Sequence, residues 1–234
     1  MDNRIPITDM HCHILPMVDD GSQSLEQTMA MIDMAYSQGV RRIIATPHYH
    51  IGKMMVDSVK VKSTTDELSA ILSDKYPEIS LYPGNEIYYY SDAMKDIREH
   101  RAVTLANSRY MLWEFSPDEQ YDTIGYSVYE AVSNGYIPVL AHIERYICLM
   151  DRDDLIEQLI DEGACIQVNS GSVAGNNGKK TQKFIKKLLR KKMIQFVASD
   201  AHSDITRAPR FDEAVKIIMK YCNADYKLQR LYSA

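Results

Sequence analysis

The feature that most constrains this chain is a regular alternation. Short apolar runs, each followed by an amphipathic stretch, repeat along all 234 residues without a linker or a break in composition. Such alternation builds β-α units around a parallel sheet. Seven strands are expected, over residues 5–13, 40–46, 79–87, 110–115, 137–142, 164–169 and 194–200. Ser24 opens the first helix, with Gln27 placed for a capping box. Leu25, Met29, Ile32 and Tyr36 follow at helical spacing, and Gly39 stops it. The length suits one domain, so residues 1–234 are read as a single α/β unit, barrel-like, with a doubly wound open sheet as the structural alternative. The glycine-rich, basic stretch 171–180 is the expected mobile loop; its Gly178-Lys179-Lys180 is no P-loop, because Val173 stands where the earlier glycine is required.

Composition excludes several classes of function. A net charge of −5, from 27 basic and 32 acidic residues, argues against nucleic-acid or anionic-membrane binding. No apolar stretch approaches the ~20 residues of a membrane span. Residues 1–6 contain no signal-type apolar segment, so a cytoplasmic protein is expected. Cys12, Cys148, Cys165 and Cys222 form no C-x-x-C pair, which fits free thiols. The positions six after them are Val18, Asp154, Gly171 and Leu228, so no arginine completes a thiolate-phosphatase loop.

Metal-ligand side chains end almost every expected strand. His11 and His13 end the first, His48 the second, Glu86 the third, Glu114 the fourth, His142 the fifth, and Asp200 with His202 the seventh. In a parallel barrel these ends converge on one face. His11 and His13, two residues apart on a strand, point the same way and leave Cys12 facing the packing. Asp19-Asp20-Gly21 offers a further oxygen ligand, or simply a helix-preceding turn. Carboxylates at the ends of apolar strands need cations. Mixed imidazole and carboxylate ligation suits zinc, manganese or iron, and the candidates are too many for one ion.

These residues resemble the PHP superfamily, whose signature opens with H-x-H and closes with D-x-H. Within it the chain is similar to the manganese-dependent protein-tyrosine phosphatases that accompany bacterial capsule and exopolysaccharide tyrosine kinases. The matching stretches include Asp9-Met10-His11-Cys12-His13, Gly84-Asn85-Glu86-Ile87-Tyr88-Tyr89, Ala141-His142-Ile143-Glu144-Arg145-Tyr146, Gln167-Val168-Asn169-Ser170 and Ala198-Ser199-Asp200-Ala201-His202. The resemblance implies a distorted (β/α)7 barrel holding up to three Mn2+ ions, with Fe or Zn as alternatives. It implies His11, His13, Asp20, His48, Glu86, Glu114, His142, Asp200 and His202 as ligands, Glu86 bridging. It implies phosphate-binding arginines at Arg145 and at Arg207, a place for which Arg210 competes. The implied substrate is a phosphotyrosine-bearing bacterial tyrosine kinase, attacked by a metal-bridging hydroxide, with Asp200 or His202 in reach as proton donor. The competing functions are a histidinol-phosphate-phosphatase-like phosphomonoesterase, a nuclease disfavoured by the acidic balance, and a non-catalytic metal-binding regulator of polysaccharide assembly. For Arg145, an ion pair with Glu144 or Asp151 is the plain structural alternative. Tyr88 and Tyr89, just after Glu86, are candidates to line the substrate site.

Overall fold

The structure, a computed structural model, describes residues 6–221; Ile5, Cys222 and the tail around Tyr232 lie outside the described residues. β1 (Ile7–Cys12) leads into α1 (Leu25–Ser37), which Ser24 caps by accepting from Gln27 N. The Gln27 side chain accepts from Gln23 N rather than from Ser24, so the box closes one residue early. β2 (Val40–Ala45) is followed by a hairpin of β3 (His48–His50) and β4 (Met54–Met55), then α2 (Ser58–Lys75). β5 (Ser80–Pro83), β6 (Glu86–Tyr88) and α3 (Ala93–Arg98) come next. The rest is β7 (Tyr110–Glu114), α4 (Tyr121–Ser133), β8 (Ile137–Leu140), α5 (Asp153–Asp161), β9 (Cys165–Asn169), α6 (Ser170–Ala174), α7 (Lys179–Arg190), β10 (Phe196–Ala198) and α8 (Phe211–Tyr221). No helix among the described residues is long and apolar enough to cross a membrane.

The strands pair in parallel, apart from the antiparallel β3–β4 hairpin. One sheet has the order β1-β2-β5, the other β10-β9-β8-β7-β6-β3-β4. The two sheets share chain passes, since β2 continues into β3 across Thr46-Pro47 and β5 into β6 across Gly84-Asn85. At the far end β10 returns to β1. Asp200 N donates to His11 O (2.8 Å), His13 N to Ala201 O (2.9 Å), and Cys12 and Ala201 form an isolated parallel bridge.

The break at Gly84-Asn85 corrects the expected unbroken strand 79–87, whereas β2 keeps to the expected strand 40–46 and the hairpin beyond Pro47 is the unexpected part. Pro47 has no N–H for a ladder. Side chains supply the missing bonds: Thr46 Oγ1 accepts from Cys12 N, while Asn85 Nδ2 donates to Pro47 O and Val56 O and its Oδ1 accepts from Val103 N. Gly84 is small of necessity, because a Cβ there would lie 3.0 Å from Ile44 and 3.2 Å from Leu105. The expected loop at 171–180 instead holds most of α6, a turn through Gly175 and Gly178, and the start of α7.

Period-two alternation sorts the strand residues into two environments. Met10, Ile44, Leu112, Val139, Phe196 and Ala198 pack on one another across the strands. Ile43, Met111, Trp113, Leu140, Ile166 and Val168 face the other way, toward the helices. The second set joins apolar helix residues such as Met31 and Leu68, or Val128 and Leu188. Cys12 faces that helix-side packing, as expected.

Candidate metal centre

Every strand-end ligand candidate converges on one face. Glu86, 1% exposed, is the hub: His11 Nε2 lies 3.1 Å from it, His13 Nε2 3.2 Å, His48 Nδ1 3.1 Å and His142 Nε2 2.9 Å. Asp200 Oδ1 stands 3.5 Å from His11 and 3.7 Å from His13. Glu114 reaches His142 at 3.5 Å and His48 at 3.6 Å; Asp20 reaches His48 at 3.2 Å and His202 at 3.5 Å. Eight of the nine candidates fall into three ligand-spaced groups: His13, Asp20, His48 and His202; His11, His13 and Asp200; His48, Glu86 and Glu114. His142, the ninth, joins through Glu86.

Local backbone geometry aims these groups. His142 and Asp200 both adopt left-handed φ angles, +33° and +51°. That conformation costs a non-glycine residue about 1–2 kcal/mol and turns each side chain off the end of its strand. Gly21 lets the following loop pass against His13; a Cβ there would sit 2.2 Å from His13 O. The same loop presents Asp19 and Asp20.

Hydrogen bonding fixes which ring nitrogens carry protons. Asn169 Nδ2 donates to Asp200 Oδ2 (2.7 Å), so Asn169 Oδ1 accepts from Gln167 Nε2 (3.0 Å). Gln167 Oε1 then faces His142 N (2.7 Å) and His11 Nδ1 (3.3 Å). His11 therefore carries its proton on Nδ1. His13 Nδ1 donates to Asp19 Oδ2 (2.7 Å), and His202 Nδ1 to the carbonyl of Asp200 (3.1 Å). The Nε2 lone pairs of His11, His13 and His202 thus all point inward at carboxylates. His11 and His13 Nε2 are 3.3 Å apart, and His202 Nε2 is buried without a hydrogen-bond partner. Acceptors facing acceptors in a buried place are satisfied by cations. The donor set, imidazole and carboxylate without thiolate, fits divalent manganese, iron or zinc.

Burial opposes ionisation of Glu86, yet His11, His13 and His142 hold its carboxyl well below the usual range. Asp200 is likewise held low against burial, by His11, Arg145, His142 and Arg207. Against burial, the carboxylates in turn raise the His13, His48 and His142 imidazoles above their usual range, so a cation that binds here displaces protons from them. Burial and the neighbouring His13 push the His202 imidazole down to about 3, leaving it neutral as a ligand must be.

Arg145 NH2 donates to Asp200 Oδ2 (2.7 Å), and Arg207 NH2 to Asp200 Oδ1 (2.8 Å). This replaces the ion pair with Glu144 or Asp151 weighed for Arg145; Glu144 instead accepts from Asn169 N. Arg207, not Arg210, lines the mouth. That mouth is a cavity of about 390 Å3 bounded by Asp20, His48, Glu86, Glu114, Arg145 and Arg207 on the polar side. Tyr88 lines it as well, whereas Tyr89 turns away and packs edge-on against Trp113.

Sequence reasoning did not find the supporting residues. Asp19 orients His13, and its Oδ2 also accepts from His48 N. Gln167 and Asn169 link His11 to Asp200. Asp9, whose carboxyl burial pushes up to about 6 against the Ser199 hydrogen bonds, accepts from both Ser199 N and Ser199 Oγ and ties β1 to the Asp200 turn. The available signal was burial: Asp9 and Gln167 are polar residues flanked on their strands by apolar ones, Met10 beside Asp9 and Ile166 and Val168 around Gln167.

Comparison with known proteins follows the same lines. The family described as capsular polysaccharide synthesis, CpsB/CapC, matches residues 7–233. The tyrosine-protein phosphatase YwqE of Bacillus subtilis is 35% identical over 212 residues, covering 91% of this chain and 84% of its own. The tyrosine-protein phosphatase CpsB of Streptococcus pneumoniae is 34% identical over 217 residues, covering 91% and 89%. A crystal structure from work on those two proteins, described as unique metal-dependent tyrosine phosphatases, superposes with a TM-score of 0.87 at 34% identity, over 97% of this chain and 90% of that one. A histidinol phosphate phosphatase from Lactococcus lactis shares the fold, with a TM-score of 0.62 at 15% identity over 93% and 94%.

Proposed function

From the premise that the chain belongs to the CpsB/CapC family of capsular polysaccharide synthesis, we propose how its site carries out the family's reaction. The protein is a metal-dependent tyrosine-protein phosphatase. Our reading assigns His11, His13, Asp20, His48, Glu86, Glu114, His142, Asp200 and His202 as ligands of up to three ions, Mn2+ by preference, with Glu86 shared between them. The observation that carries it is the set of inward lone pairs and carboxylates around Glu86. When bound, divalent ions supply Lewis acidity and make hydroxide available near neutral pH.

The chain's own residues do the rest. Arg145 and Arg207, parked on the two oxygens of Asp200, stand at the edge of the mouth and hold the non-bridging oxygens of an entering phosphate. Asp200 keeps both forks in place while Asn169 keeps Asp200 in place. A tyrosinate leaving group, with a parent pKa of ~10, needs less protonation than a serine alkoxide. Asp200 and His202, as ligands, are poor proton donors, so the leaving group departs largely as the anion.

The same proposal takes residues 1–234 as one domain, a distorted (β/α)7 barrel. The strand pairings that return from β10 to β1 support it. It places the enzyme in the cytoplasm, acting on a phosphotyrosine-bearing kinase that controls capsule or exopolysaccharide synthesis. The test is turnover of a phosphotyrosyl peptide against histidinol phosphate by protein of measured metal content. Preference for the peptide is expected; preference for histidinol phosphate reassigns the enzyme to small-molecule substrates.

A further inference from the structure

His48 and His50 sit on the same side of β3, with Tyr49 between them pointing the other way. Tyr49 is buried and donates to Asp96 (2.7 Å), which anchors the strand to α3. On the opposite side the His50 ring lies flat on Tyr88 of β6, with centroids 3.9 Å apart and planes 9° from parallel. The hairpin is therefore clamped from both faces. From that clamp the chain turns through Ile51-Gly52-Lys53 and returns as β4, with Lys53 N donating to His50 O. Lys53 is exposed and lines the same mouth as Arg145, Arg207 and Glu114. Among the described residues no carboxylate pairs with it. Beyond the polar site, the mouth is walled by His50, Met54, Tyr88, Phe115 and Pro117. These are ring faces and apolar edges suited to an aromatic side chain.

We propose that the hairpin of residues 48–55 is the substrate-recognition arm of this site, and that Lys53 at its tip selects phosphotyrosyl segments with acidic neighbours. The inference rests on the phosphatase reading and adds a substrate class to it. A phosphotyrosine seated on the metals runs its ring along the Tyr88 wall, and the peptide on either side must cross the rim. There Lys53 is an unneutralised cation on a fixed support. It attracts a flanking Asp or Glu, and it repels a flanking Lys. An exposed pair of this kind changes affinity about two- to fivefold, and repulsion adds to the contrast.

The test compares kcat/KM for two phosphotyrosyl peptides that differ only in flanking Glu or Lys, using Mn2+-loaded wild type, Lys53→Glu and Lys53→Arg. Wild type should favour the acidic peptide about three- to tenfold. The preference should shrink as salt screens it, survive in Lys53→Arg, and reverse in Lys53→Glu. Binding of the non-hydrolysable phosphonate analogues should follow the same order. Because the readout is a ratio within one protein, a general loss of folding does not imitate it. If wild type hydrolyses p-nitrophenyl phosphate but shows no preference, or one that Lys53→Glu leaves unchanged, the inference is overturned and the phosphatase reading stands. If metal-loaded wild type does not hydrolyse p-nitrophenyl phosphate, the reading of the site fails and takes the inference with it.

Discussion

Asp200 accepts from Arg207 on one oxygen and from Arg145 and Asn169 on the other, so three neighbours share one anchor. Neither arginine touches any other carboxylate among the described residues. Arg145→Ala should therefore leave the metals bound, by elemental analysis, and lower kcat/KM for phosphotyrosyl peptide by about two to three powers of ten, as for loss of an oxyanion-type donor. Lysine should restore only part, because it keeps charge but not the fork. Arg207→Ala should behave alike and Arg210→Ala should be silent; the reverse order would move the role to Arg210. Asp19 acts one step further out. Asp19→Ala should weaken metal binding about 10- to 100-fold, read by competition with a chelating dye, since His13 loses the acceptor that sets its tautomer. Unchanged affinity would make Asp19 a turn residue only. Eight of the nine ligand candidates were legible because each stands at the end of an expected strand, where a charged or imidazole side chain has no other reason to stand. Asp20, in the loop after β1, was legible as a ligand only through the resemblance. Asp19 was not legible beside Asp20, because two adjacent acids in a turn differ only in what the fold brings to them.

At the scale of elements, the breaks in β2–β3 and β5–β6 matter most. Each lets one chain pass change direction just before it delivers a ligand, His48 in one case and Glu86 in the other. Asn85 makes three of the bonds that hold this join, and it is fully buried. Asn85→Ala removes the side-chain partners of Val56 O and Val103 N and leaves Pro47 O with only its bond from Glu86 N. The expected loss is about 2–4 kcal/mol in urea denaturation of the chelated protein. A change below about 1 kcal/mol would mean that water replaces the amide. The sequence predicted one strand over residues 79–87 and a strand ending at Thr46, because apolar residues such as Ile44, Ala45, Tyr82 and Ile87 flank both joins. Hydrophobic patterning reports burial, and burial continues across these joins. Hydrogen bonding does not, and only Pro47 and the Gly84-Asn85 pair betray the change. The β3–β4 hairpin escaped for a similar reason: three residues and two residues are too few to show a period.

In the whole molecule, the metal centre joins segments from across the described chain. Its acceptors repel one another without cations, so ion binding should stabilise the fold as well as the site. At a hundredfold excess over Kd one ion contributes about 2.7 kcal/mol, and a protein of this size shifts about 2–4 °C per kcal/mol. EDTA should lower Tm by about 5–10 °C, and Mn2+ should restore it; an unmoved Tm would mean that no ion binds the folded state. The seam between β1 and β10 has a further consequence. It is made by Cys12 with Ala201, His11 with Asp200, and Asp9 with Ser199, which are early and late positions of the described chain. On a translating ribosome His11 and His13 emerge long before Asp200 and His202. A nascent chain stopped short of β10 carries most of the imidazoles but lacks Arg207, the Asp200 partner of Arg145 and the closing seam. Turnover therefore begins only when synthesis has passed Arg207, and truncated products stay inert however much metal the cell supplies.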